Sequence, residues 1–194
     1  MELEAIRGGN RGRIRCVALS AKGVATAVEG SKFSICQSAD DWPPCLHDVV
    51  SLKARFEALH AYGIKIAMLG VCTSIREQAP GLEWGPHVDV VDCIFGESLT
   101  DCLVRWCRCN DCALSNVAAI ALCPSDRDFA LDCGSIFALS GSGYTMTSAA
   151  DALFDAPARG GLEQALDRVL ARACGGDLAC DGVRPGCVSL GDRD

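Results

Sequence analysis

The stretch NVAAIALCPSDRDFALDCGSIFAL, from Asn116 to Leu139, decides the reading of the fold. Asn116 to Leu122 is a nearly unbroken apolar run of strand length, which predicts a strand buried on both faces. Asp126 to Cys133 predicts a short helix, and Ser135 to Leu139 a second buried strand. Two apolar strands joined through a helix form a crossover, which implies parallel pairing in one sheet.

The same pattern extends to both sides. Ile14 to Ser20, Ile64 to Leu69 and Val88 to Phe95 read as further buried strands. Cys45 to Tyr62 carries Leu46, Val49, Val50, Leu52, Phe56 and Leu59 at helical spacing, and Gly63 sits where the helix would stop. Leu99 to Cys107 predicts another helix. Gly161 to Ala173 predicts the last, with Leu162, Ala165, Leu166, Val169 and Leu170 on one face. Gly23 to Cys36 contains β-branched residues broken by Gly30, consistent with a hairpin flap, and Asp40 to Pro44 reads as a turn. The expected architecture is a Rossmann-like α/β fold, a mostly parallel sheet with helices on both faces. Residues 1–12 read as a flexible arm, 13–173 as the domain and 174–194 as a Gly- and Cys-rich tail. Ligands of such sheets bind beyond the C-terminal ends of the strands, which directs attention to Ser20, Gly70, Phe95 and Leu122.

Composition narrows the partners. The 194 residues carry a net charge of -7, which argues against a nucleic-acid or anionic-membrane surface. No run approaches the ~18 consecutive apolar residues of a membrane helix, and Met1 to Arg15 lacks the apolar core of a secretory signal, so a soluble cytoplasmic protein is expected. That address argues against a disulfide framework for the 14 cysteines; Cys16, Cys93 and Cys133 lie in or beside apolar runs as small hydrophobes do. Cys102, Cys107, Cys109 and Cys112 follow C-x4-C-x-C-x2-C, which is not a zinc-ribbon spacing, and read as a Cys-rich helix and its following loop. His47, His60 and His87 are scattered, with no H-x3-H pair to suggest a metal.

At the strand ends the chain resembles the small haloacid dehalogenase (HAD) phosphatases that act on 3-deoxy-manno-octulosonate 8-phosphate. It equally resembles the C-terminal module of CMP-N-acylneuraminate (sialic acid) synthetases. Asn116-Val117-Ala118-Ala119-Ile120, then Asp126 and Gly134, follows the pattern N-V-A-Y-V-G-D-D-x-x-D with its later x-x-G-L. Ile14 to Thr26 lies against a strand ending D-x-D-G-V-x-T, and Tyr62 to Ile66 against S-G-I-E-V. Ala158-Arg159-Gly160-Gly161-Leu162-Glu163-Gln164 lies against G-R-G-A-V-R-E. Order and spacing hold over about residues 13–172.

The chemistry implied by that resemblance needs an Asp nucleophile after the first strand, a second Asp as acid and base, a Thr or Ser and a Lys on the phosphoryl oxygens, and carboxylates for Mg2+ after the fourth strand. Here Ser20 stands at the nucleophile position and Lys22 at the acid/base position. Gly70 stands at the Thr/Ser position, with Cys72 where the nearby Arg would be, and Leu99 near the Lys position. Leu122 and Cys123 replace the paired Asp, and Asp126 alone keeps its carboxylate. The substrate stretch V-x-D-G-x-G falls near Val50 to Arg55 without its Asp. The sequence identifies no base to activate Ser20, and Lys22 puts a cation where Mg2+ would sit. Groups that act as a unit are not rescued by one survivor.

The implied reading is a catalytically inactive HAD-like domain acting in oligomerisation or as a scaffold. In animal synthetases the module often departs from the phosphatase pattern and supports a tetramer, partly through the hairpin that Gly23 to Cys36 would form. A homo-oligomer is therefore expected, with a sugar-nucleotide synthetase as a possible partner, and no cytidylyltransferase activity is expected of the chain itself. No cofactor is expected, or Mg2+ if activity persists. Two alternatives stand beside it: a weak Mg2+-dependent phosphatase of sugar-acid phosphates, with Asp40, Asp41, Asp89 or Asp92 as nucleophile, and a small-anion binder using Lys22 and Arg159. Asp126 reads as a residual metal ligand or, more simply, as the N-cap of the helix that Ser125-Asp126 opens. Lys22 and Arg159 read equally well as solvated surface charges. Ser140-Gly141-Ser142-Gly143 reads as a strand-to-helix turn, and Asp40-Asp41 as part of a turn.

Overall fold

The computed structural model describes residues 13–21, 24, 46–70, 86–140, 142–155 and 160–175. Six strands form one sheet: β1 Cys16–Ser20, β2 Lys65–Leu69, β3 Val88–Val91, β4 Val117–Ala121, β5 Ser135–Leu139 and β6 Ala152–Phe154. The helices are α1 Leu46–Ala61, α2 Leu99–Cys109, α3 Arg127–Leu131, α4 Tyr144–Ala149 and α5 Gly161–Ala173. The strand order is β3-β2-β1-β4-β5-β6 and every pairing is parallel, as the crossover reading required. The predicted arm at 1–12, the hairpin over 23–36 apart from Val24, the turn at 40–44 and the tail from 176 onward lie outside the described residues.

Alternation along the strands builds two unlike cores. Val17, Leu19, Ile66, Met68, Ile120, Phe137 and Leu139 face α1 and α5, where Leu52, Phe56 and Leu59 meet Leu162, Leu166 and Val169. Ala18, Ala67, Ala119, Ala121 and Ala138 face the other way, against Leu103 and Trp106 of α2, Phe129 of α3 and Met146 of α4. Small strand residues on that face make room for the large helix residues. Across the first face Arg55 ties α1 to α5: its Nε and Nη2 lie 3.0 Å from the two Asp167 carboxylate oxygens, and Nη1 donates to Ser51 Oγ at 2.7 Å. The stretch Val50 to Arg55 is thus interior to a helix. On the second face α2 starts with a capping box, Asp101 N–H donating to Ser98 Oγ at 3.1 Å and Ser98 N–H to the Asp101 carboxylate at 3.2 Å.

Two sequence expectations change. The third strand stops at Val91 and not at Phe95, because β2 has no further partner to give: Gly70 donates its N–H to Val91 O at 3.0 Å and turns away at φ +74°. Residues 92–96 become a loop on which Phe95 is fully exposed. The sixth strand, three residues long, carried no pattern of its own; it is held by Asp151, whose carboxylate accepts the Ile136 N–H at 2.9 Å while its own N–H reaches Ile136 O at 2.7 Å. Among the described residues no helix is long and apolar enough to cross a membrane.

Gly134 is needed for close approach. A Cβ there would lie 1.9 Å from Ser115 O, a backbone atom just before β4, while Gly134 N–H donates to Leu114 O at 2.9 Å. Gly134→Ala is expected to cost about 1–3 kcal/mol as an overpacked site. Chemical denaturation of the two proteins checks this; equal midpoints would show that the β4–β5 connection is looser than its geometry.

Candidate functional site at the strand C-termini

The strand order reverses about β1: β2 and β3 lie to one side, β4 to β6 to the other. Sheets of this order carry their crevice at that point, outside the carboxyl ends of β1 and β4. The structure brings four of the sequence-derived positions to this edge. Ser20 ends β1, buried and in register with Leu69 at the end of β2. Gly70 follows Leu69, Leu122 follows β4, and Leu99 opens α2. Lys22 and Arg159 lie outside the described residues, as do Cys72, Asp40 and Asp41.

What these positions offer is apolar. Leu99 Cδ2 would stand 2.7 Å from a Cβ on Gly70, so the room in which a Thr or Ser side chain would sit is taken by a leucine methyl. Leu122 is buried and gives the edge no side-chain oxygen. Asp126 is fully buried, and its carboxylate is turned to the main chain. Oδ2 accepts the Leu122 N–H at 2.8 Å and the Cys123 N–H at 3.1 Å, and Oδ1 accepts from Cys123 Sγ at 3.3 Å. This corrects the expected N-cap role. Asp126 does not cap α3 with its side chain; it is the third residue of a 3-10 turn, Pro124–Asp126, and reaches back to the Cys123 cap. Burial and the adjoining Asp126 charge push the Cys123 thiol up.

A magnesium ion prefers several oxygen ligands. Ser20, Leu122 and Cys123 supply no carboxylate, and Asp126 already accepts three hydrogen bonds. Among the described residues no group of three His, Cys, Asp or Glu side chains is placed to hold a metal ion. The described residues at this edge therefore do not by themselves supply the ligand set of a Mg2+ site. Asp89 donates nothing to the edge either, since its Oδ2 accepts the Trp106 Nε1–H at 2.9 Å. One pocket of about 220 Å3, lined by Arg13, Arg15, Tyr62 and Ile64 among others, opens at the opposite, N-terminal end of the strands and is no part of this crevice.

Several groupings were not visible in the sequence. Cys102, Cys107, Cys109 and Cys112 do not meet at one point, although Cys107 and Cys112 are neighbours beside Cys16 and Cys133. Cys102 Sγ lies 3.2 Å from Cys93 Sγ, Cys112 Sγ lies 2.7 Å from Cys16 Sγ, and Cys109 is exposed. Burial pushes the Cys107 thiol up to about 12. Beside Cys102, Arg105 holds Glu97 in a two-pronged pair, at 2.9 and 2.8 Å, which with the Ile94 N–H brings the Glu97 carboxyl down to about 2. His60 and His87 stack, ring centroids 4.2 Å apart, although 26 residues of sequence lie between them.

Solved structures share this fold. A cobalt-bound deoxy-D-mannose-octulosonate 8-phosphate phosphatase from Haemophilus influenzae superposes with a TM-score of 0.58 at 14% identity, over 84% of this chain and 90% of that one. The 3-deoxy-D-manno-octulosonate 8-phosphate phosphatase from Moraxella catarrhalis, in complex with magnesium, phosphate and KDO, gives 0.58 at 16% identity, over 84% and 88%. A protein described as a HAD-superfamily (subfamily III A) hydrolase from Legionella pneumophila gives 0.59 at 15%, over 90% and 91%. No protein-family model matches the sequence, and no curated protein is significantly similar to it. The chain has the α/β fold of the HAD phosphatases.

Asp126→Ala separates a structural carboxylate from a metal ligand. It strips two backbone N–H groups of their acceptor, at a cost of about 1–3 kcal/mol. The denaturation midpoint should fall, and added Mg2+ should shift neither protein. A midpoint unchanged by the substitution would show that the carboxylate does not hold the turn.

Proposed function

We propose that this chain is a catalytically silent HAD-like domain that acts by association, as a scaffold built with a second copy of itself. The observation that carries the reading is the state of the one surviving carboxylate: Asp126 is consumed by the Leu122 and Cys123 N–H groups, while the nucleophile position holds Ser20. A serine hydroxyl is a far weaker nucleophile toward phosphorus than the aspartate carboxylate that the resemblance calls for at this position. Association is supported by Val90, Ile94 and Phe95, exposed apolar side chains on and beyond edge strand β3. By resemblance to the synthetase modules, a tetramer and a sugar-nucleotide synthetase partner in the cytoplasm belong to the same proposal, as does an anion held by Lys22 and Arg159.

The fold likeness taken alone favours a second reading, a Mg2+-dependent phosphatase of sugar-acid phosphates, since one neighbour holds magnesium, phosphate and KDO together. In that reading Asp40, Asp41 or the Asp89/Asp92 pair would have to supply the nucleophile, and of these Asp92 lies exposed just past the end of β3. The residue chemistry at the strand ends weighs against it.

Hydrolysis of 4-nitrophenyl phosphate with Mg2+ discriminates the two. The expected rate equals that of buffer; turnover that disappears in Asp92→Asn or Asp126→Ala would establish the phosphatase. Light scattering should give a mass above one chain, reduced by Phe95→Asp. A monomer unaffected by that substitution would remove the support for self-association.

A further inference from the structure

Two of the thiol pairs in contact among the described residues differ in access. Cys16 and Cys112 are the closer at 2.7 Å, but Cys16 is buried in β1. Cys93 and Cys102 are 3.2 Å apart, with Cys93 exposed on the loop after β3 and Cys102 buried in the first turns of α2. A disulfide requires a thiol that an oxidant can reach and a second thiol within reach of the first. Only the Cys93–Cys102 pair combines full exposure of one partner with contact to the other among these two.

The surroundings of Cys102 favour its thiol form. Its Sγ lies 3.2 Å from Glu97 Oε2, the carboxylate that Arg105 keeps ionised. Burial, then Cys93 and Glu97, push the Cys102 thiol up, so it keeps its proton until a reaction at Cys93 calls for it. Closing the pair to a bond of about 2.05 Å asks for a shift of about 1 Å. The loop at 92–96 carries Gly96 at φ +82°, and Ile94 and Phe95 next to Cys93 are exposed, which leaves the Cys93 end free of core packing.

We propose that Cys93 and Cys102 form a reversible disulfide site that reacts with low-molecular-weight disulfides of the glutathione class. The Cys93 thiolate attacks one sulfur of RS–SR; the Cys93–SR bond forms, the RS–SR bond breaks, and the departing RS⁻ takes up a proton. The Cys102 sulfur then attacks Cys93 Sγ as its proton passes to water. The mixed disulfide breaks and the second RS⁻ leaves, taking up a proton. Two protein thiols are oxidised and one small disulfide is reduced to two thiols. The bridge ties the loop after β3 to α2 at the lip of the crevice, where Cys93 Sγ would be 3.7 Å from a Cβ on Gly70. The site does not depend on the scaffold reading.

The test uses the full chain incubated with oxidised glutathione, alkylated, and cleaved after glutamate and arginine. That cleavage leaves Cys93 alone in the fragment ending at Glu97 and Cys102 alone in the fragment from Ser98 to Arg105. The two fragments are expected to stay joined until a reductant is added. Cys102→Ser should stop at a glutathione adduct on Cys93. Cys93→Ser, a change at an exposed position that does not disturb the core, should leave Cys102 unbridged. Cys93 recovered as the free alkylated thiol, glutathione retained on Cys93 of the unsubstituted chain, or Cys93 joined to a different cysteine would each overturn the proposal.

Discussion

The central strand β1 must satisfy four neighbours at once. It exchanges main-chain hydrogen bonds with β2 on one edge and β4 on the other, and presents Val17 and Leu19 to one helical layer and Cys16 and Ala18 to the other. A strand enclosed on both edges and both faces has no register to slip into, since a shift of one residue would drive Leu19 and Val17 into the layer fitted to alanines. The small face follows from the same constraint. Trp106 and Phe129 can lie over the sheet because Ala18, Ala67, Ala119 and Ala138 leave the depth for them. The end of β1 is thereby fixed, and with it the point where the strand order reverses and the crevice opens.

That fixed frame explains how the crevice can change its residues and keep its shape. Carboxylates crowded at one strand edge repel, and a metal ion is what ordinarily offsets the repulsion. With Ser20, Leu122 and Cys123 in place, Asp126 stands without carboxylate neighbours along that turn and is neutralised by backbone N–H dipoles. The turn that leads from β4 into α3 is then self-sufficient. Leu99 adds to the same effect on the other side of β1, packing beside Gly70 where a polar side chain would otherwise be directed at a ligand.

The frame was legible because period and length carry it: β5 occupies the residues the sequence assigned to it, and β1, β2 and β4 differ by one or two at their ends. Where the third strand was overextended, the β-branched run through Val91 said nothing about whether β2 could continue beside it. Where β6 was missed, three residues offered no period to read. The site was legible in part. Ser20, Gly70, Leu99 and Leu122 were placed by order along the chain, and topology gathers them at one edge. The direction of the Asp126 hydrogen bonds was not, because a residue between a strand and a helix can serve either, and here it serves the strand end. The cysteine spacing reads as a helix and its following loop, and Cys102, Cys107 and Cys109 lie on α2 with Cys112 just after it. Cys102 and Cys107 are separated by about 7.5 Å along the helix axis, so Cys102 meets Cys93 while Cys107 meets Cys112.

Pairing of sulfurs across elements is a consequence of the packing and not of any local motif. The loop after β3 exists because β3 loses its partner at Gly70, and that loop delivers Cys93 to the first turns of α2. Glu97, four residues on, closes the loop by accepting the Ile94 N–H at 2.9 Å and is gripped by Arg105 from the helix. The loop is therefore anchored at its C-terminal side by an ion pair and at its N-terminal side by the last ladder bond of β3. Cys93 lies between these anchors, held near Cys102 but facing solvent. An arrangement of this kind brings a thiol to the surface beside a buried one without any sequence spacing that would announce it.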